Sequence, residues 1–172
     1  MKKDLDLRNT RLTFYKKDIA RIDRIMEEFL RLSQAKCAFL VDKDGHMITR
    51  VGGDVQFNHD TISALVAGSF AATKEMARLL GEEQFSALYH QGESDNIQLS
   101  LVGSRTILTV IFDDATTLGM VRLYVSETVK KLAEIFDEAE RKREQGLEAE
   151  AEVSGEYSAS AMNKLDNLFD EG

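Results

Sequence analysis

Six residues in the second half of the chain, Ile107-Leu108-Thr109-Val110-Ile111-Phe112, form a nearly continuous apolar run between Gly103-Ser104 and Asp113-Asp114. A strand with one face in water alternates apolar and polar side chains, so this run suits a strand covered on both faces and marks the centre of a sheet. Other strands are read around it. Residues 37–41 and 47–51 are short apolar stretches joined by Asp42-Lys43-Asp44-Gly45, where the glycine can adopt the positive φ of a tight hairpin. Residues 85–90 read as an edge strand. Ile97, Leu99 and Leu101 alternate with Gln98 and Ser100, which predicts a half-buried strand with its polar side chains facing water.

Helical spacing supplies the cover. Tyr15, Ile19, Ile22, Met26 and Phe29 recur at steps of three and four, giving a first helix with one apolar stripe. A second helix is expected from an N-cap at Asp60 to Leu80, stopped by Gly81. Its Ile62, Leu65, Val66, Thr73, Met76 and Leu80 are expected to lie on the sheet. Ala64, Ala67, Gly68, Ala71 and Ala72 form a separate stripe of small residues, over which another backbone can approach closely. From Leu118 both periods fit, and the longer helical pattern through Phe136 decides for helix. Residues 144–160 turn to Glu, Ala, Gly and Ser, the composition of a flexible acidic linker. Beyond it Leu165, Leu168 and Phe169 return at helical spacing in a segment too short to be a stable helix alone. The expected divisions are an N-terminal extension over 1–14, one domain over 15–143, the linker over 144–160 and a recognition segment over 161–172.

Composition narrows the function. A net charge of −8 argues against a nucleic-acid partner, because phosphate binding draws on clustered Lys and Arg. No run approaches the ~18 apolar residues of a membrane span, and the polar start lacks an apolar signal region, so a cytoplasmic protein is expected. The single cysteine, Cys37, sits in an apolar run and fits a reducing compartment. The chain has no proline, so its turns fall to Gly, Asp and Asn.

Residues for chemistry are sparse. There is no phosphate-cradling glycine loop of the P-loop or dinucleotide type, so no nucleotide cofactor is expected. His46, His59 and His90 lack metal-ligand spacing, and Asp42-Lys43-Asp44-Gly45 departs from a calcium loop, where Met47 and Gly53 occupy the positions of the required glycine and glutamate. Asp113-Asp114 follows the central strand without a paired base or nucleophile. No catalytic residue, cofactor or metal is therefore assigned. Arg21, Arg50, Arg105 and Arg122 are each conceivable as an arginine finger acting in a partner's site, against the plainer reading of surface charges.

The order of elements, an α/β sandwich αββαβββα with a five-stranded, mainly antiparallel sheet, and the run Phe39-Leu40-Val41-Asp42-Lys43-Asp44-Gly45 resemble the profilin-like roadblock/LC7 family. Leu65-Val66-Ala67-Gly68-Ser69-Phe70-Ala71-Ala72, Leu79-Leu80-Gly81-Glu82, His90-Gln91-Gly92-Glu93, Ile111-Phe112-Asp113 and Leu118-Gly119-Met120-Val121-Arg122 resemble its bacterial polarity-regulator members. The resemblance implies a homodimer, sheets joined edge to edge and second helices adjacent, that binds a small Ras-like GTPase of the MglA type in its GTP-bound form. It implies acceleration of GTP hydrolysis by arranging the GTPase's own catalytic residues, without an arginine finger, in control of cell polarity or motility at a cell pole. By matching motif positions, the GTPase-binding surface comprises Arg21, Ala67, Gly68, Ala71 and Glu75, where Glu75 stands at a place that a small residue can occupy in relatives. Leu165, Leu168 and Phe169 resemble a tail that contacts the GTPase. Two alternatives remain: a scaffold of the same fold that leaves hydrolysis unchanged, and a PAS-like small-ligand sensor, which needs a pocket.

Overall fold

The computed structural model describes residues 16–53 and 55–169, with side chains described as far as residue 146. In chain order the elements are α1 (Lys16–Ser33), β1 (Cys37–Asp42), β2 (Met47–Val51), α2 (His59–Leu80), β3 (Ala87–His90), β4 (Asn96–Val102), β5 (Thr106–Phe112) and α3 (Leu118–Phe169). The strands form one sheet in the order β2-β1-β5-β4-β3, with every neighbouring pair antiparallel. All seven residues of β5 are buried, as its apolar run requires of the central strand. The β1–β2 turn is closed by its own first side chain. Asp42 Oδ1 accepts hydrogen bonds from the backbone N–H of Asp44 at 3.0 Å and of His46 at 2.8 Å, while Gly45 takes φ +90°. The Asp-x-Asp-Gly motif is thus a turn device.

Successive side chains on a strand point to opposite faces, so the sheet has two inner surfaces. On one, Cys37, Phe39, Val41, Leu99, Ile107 and Ile111 cluster with Val66 of α2. On the other lie Ala38, Leu40, Leu108 and Val110, all buried. Thr49 pairs with Leu40 and shares that second face, and its Oγ1 donates to Asp23 Oδ1 at 2.6 Å, which places α1 there. Lys131 Nζ of α3 lies 3.8 Å from Glu28 of α1. Ile22, Met26 and Phe29 of α1 and Val121, Val125, Leu132, Ile135 and Phe136 of α3 are the buried apolar side chains of these two helices within the sheet-bearing unit.

Three expectations change. Gln98 and Ser100 are 1% and 5% exposed, because they pair with Val110 and Leu108 on the face that the helices close. Their polarity is met locally only in part: Gln98 Nε2 donates to Leu99 O and to Ser100 Oγ, both at 3.3 Å, while Gln98 Oε1 is buried with no hydrogen-bond partner among the described residues. The N-cap of α2 is Asn58, not Asp60; its side chain accepts from Thr61 N at 2.8 Å, and Asp60 sits in the first turn, where its charge complements the helix dipole. Strand β3 begins at Ala87. Helix α3 runs on through residues 144–160, the stretch read as an acidic linker; its Glu and Ala residues are strong helix formers even where little is buried, and no proline interrupts them.

The described residues as far as Phe136, which include the sheet, form one compact unit, and α3 beyond Phe136 belongs to another. Tyr15 and the extension over 1–14 lie outside the described residues. Leu165, Leu168 and Phe169 lie on helical backbone at the end of α3, with their side chains outside the described ones.

Candidate interaction surface on the second helix

Helix α2 is anchored at both ends. Arg50 on β2 reaches its start: Nη1 lies 2.9 Å from His59 Nε2, Nη2 donates to Val55 O at 2.7 Å, and the guanidinium sits 4.6 Å from the Phe57 ring centroid. Phe57 in turn packs on Phe39, with centroids 5.4 Å apart. Burial pushes the thiol of neighbouring Cys37 up from its ordinary pKa, while Arg50 pulls it the other way. At the far end Gly81 takes φ +77°, and its N–H reaches Ala77 O and Arg78 O.

The face that α2 lays on the sheet differs from the one its apolar residues suggest. Ser63, Val66, Thr73 and Ala77 are buried, at helical steps of three, seven and four, while Ile62 and Phe70 pack beside them. Small side chains at these positions bring the helix close to the sheet. Leu65, Met76 and Leu80, expected on the sheet, point outward with 62%, 50% and 73% of their surface exposed, as does Leu79 at 75%. Leu65, Ala72, Met76 and Leu79 thus form one outward stripe. Ala64, Ala67 and Ala71 form a second beside it, with Gly68 between the two. A Cβ placed on Gly68 would meet nothing within 4 Å, so this glycine serves no packing inside the subunit.

Beside the second stripe a cleft of about 250 Å³ opens between α2 and the β4–β5 turn. Ala67 and Ala71 form part of its wall, Phe70, Leu101 and Ile107 are among its apolar lining, and Lys43, Lys74 and Arg105 bring positive charge to it. The sequence reading missed this feature.

The residues expected to face a GTPase are only partly brought together. Ala67, Gly68, Ala71 and Glu75 share the outward side of α2, and Glu75 Oε2 is 3.0 Å from Arg78 Nε, so its carboxylate is engaged along the helix. Arg21 lies on α1, across the sheet from α2, 3.8 Å from the buried carboxylate of Asp18. Of the other arginines, Arg50 holds the start of α2, Arg105 borders the cleft and Arg122 is exposed on α3. Asp113 Oδ1 accepts from Ala115 N at 3.0 Å and helps turn the chain into α3, while its other oxygen lies 3.7 Å from Lys36. His46 Nδ1 lies 3.3 Å from Asp42. Among the described residues no group of three His, Cys, Asp or Glu is placed to hold a metal ion, and no helix is long and apolar enough to cross a membrane.

A five-stranded antiparallel sheet with one exposed-faced helix on one side and two helices on the other defines a class of small α/β domains. The Roadblock/LC7 domain model matches residues 21–112, more than half of the chain, and the protein belongs to the roadblock/LC7 family. Its likeness to solved MglB structures is close. Myxococcus xanthus MglB is 36% identical, with a TM-score of 0.66 over 69% of this chain and 96% of that one. The gliding protein MglB of Thermus thermophilus is 33% identical, with a TM-score of 0.70 over 74% of this chain and 96% of that one. A structure described as MglB with tetrameric arrangement gives 33% and 0.71 over the same shares. No curated protein sequence matches.

Proposed function

We propose that this protein is a homodimeric regulator that binds a small Ras-like GTPase of the MglA type in its GTP-bound form and stimulates hydrolysis. It does so by holding the GTPase's own catalytic residues in the competent arrangement, with no arginine finger and no enzymatic activity of its own, in control of cell polarity or motility. The observation that carries this reading is the outward surface of α2, a large apolar and small-residue face on a fold whose near relatives are MglB proteins. The Leu65, Met76 and Leu79 stripe, with the free edge of β3, suits self-association, since exposed apolar surface of this kind is commonly an interface. The Ala67, Gly68 and Ala71 side is left for the GTPase. Arg21, on the other side of the sheet, reaches that GTPase only if the partner wraps around or contacts both subunits. Leu165, Leu168 and Phe169 supply a second, tail-borne contact.

Single-turnover GTP hydrolysis by the cognate GTPase, with and without this protein, tests the proposal. A raised rate is expected. Binding with an unchanged rate selects a scaffold instead. Ala71→Arg is expected to abolish binding while leaving the dimer intact, as followed by sedimentation, and wild-type affinity in this variant would show that α2 does not face the GTPase.

A further inference from the structure

The cleft beside α2 has a character at odds with the rest of the molecule. The chain carries a net charge of −8, yet the residues lining the cleft include three cations, Lys43, Lys74 and Arg105, and no carboxylate. Two carboxylates adjacent in sequence to its lysines, Asp42 beside Lys43 and Glu75 beside Lys74, are engaged elsewhere. Asp42 accepts from its own hairpin N–H groups and faces His46, and Glu75 faces Arg78. The charged side chains that line the cleft are therefore all cationic. Below the mouth the lining turns apolar with Phe70, Phe85, Leu101 and Ile107.

We propose that this cleft is an anchor pocket for one apolar side chain of the partner protein, aromatic or leucine-sized, carried on a segment with carboxylates beside it. The proposal rests on the reading of α2 as the partner-facing helix and adds what that partner must bring. A volume of about 250 Å³ accepts a single large side chain and falls below the roughly 300–1,000 Å³ typical of small-molecule sites. The pocket is continuous with the flat surface beside it, because Ala67 and Ala71 belong to both. A methyl group at each position leaves the mouth open and lets a partner's backbone pass across it. Buried anchors in such pockets dominate interface energies, and rim charges steer the approach and select the partner.

Two measurements test it. The natural chain has no tryptophan, so Phe85→Trp labelled with 5-fluorotryptophan places a single fluorine resonance in the pocket. Addition of the cognate GTPase, loaded with a non-hydrolysable GTP analogue, is expected to shift that resonance; an unmoved signal at saturating partner overturns the proposal. Lys43→Glu combined with Lys74→Glu alters exposed residues only and is expected to weaken the complex about tenfold or more at low salt and to flatten its salt dependence. Unchanged affinity and slope in that variant also overturn it. Loss of binding in Ala71→Arg alongside an unmoved fluorine signal would leave the α2 reading standing and remove only the pocket. Intact binding in Ala71→Arg would remove both.

Discussion

On the face that carries Leu40, Leu108 and Val110 the sheet is closed by α1 and α3, whereas on the face that carries Phe39 and Ile107 it is closed by α2 alone. Two helices leave Leu40, Leu108 and Val110 without accessible surface and bury even Gln98. One helix leaves Leu101 partly exposed in the wall of a cleft and turns Leu65, Met76, Leu79 and Leu80 outward. The difference separates two tasks. The doubly covered face holds the fold, and the singly covered one leaves exposed the apolar surface on which the proposed association rests.

The strongest test of this division is truncation on the closed face. Leu108→Ala is expected to cost about 2–5 kcal/mol of unfolding free energy in urea titration, because a site packed on both sides cannot collapse around the lost atoms. A cost near zero would mean that this face is loosely packed. Next comes the cap of the lone helix on the other face: Asn58→Ala, which loses the bond to Thr61 N, is expected to cost about 1 kcal/mol. Leu79→Ser, on the outward stripe, should change the stability of the isolated subunit by no more than about 0.5 kcal/mol. The same change is expected to weaken self-association in sedimentation, and a large loss of subunit stability would place Leu79 in the core.

The smallest effect belongs to neither face. Lys36, ahead of β1, has its pKa raised chiefly by its hydrogen bond to Asp95 at 2.9 Å, with Asp113 adding to it. A group whose folded pKa is raised contributes stability that is fully present below its unfolded value, here 10.5, and lost as pH rises through the folded value. Removing the charge with Lys36→Met should therefore lower stability slightly at neutral pH and leave it unchanged at strongly alkaline pH, as read from melting temperatures.

What the sequence disclosed divides along the same line. The central strand was legible because a continuous apolar run admits few other placements, and Gly81 was legible as the end of α2 because a positive φ there favours glycine. Gln98 was misread because alternation reports polarity and not coverage, and a side chain that bonds to its own strand neighbours can be buried. Leu65, Met76 and Leu80 were turned to the wrong side because α2 is apolar around most of its girth, so the choice of face falls to which residues are small enough for close contact. The cleft left no trace in the sequence: Lys43, Lys74 and Arg105 lie on a turn, a helix and a hairpin, and only the topology gathers them. Arg21 was grouped with α2 by resemblance alone, and the fold sets it across the sheet.

Gly68 now carries a cost that the domain has no internal reason to bear. Glycine within a helix is less favourable than alanine by about 0.8–1.0 kcal/mol, and here the extra methyl would meet open space. Gly68→Ala should thus make the subunit harder to melt. A design campaign guided by thermostability alone would adopt that change at once and, in doing so, thicken the bare stretch of backbone on the side of the helix that the proposed function gives to another molecule.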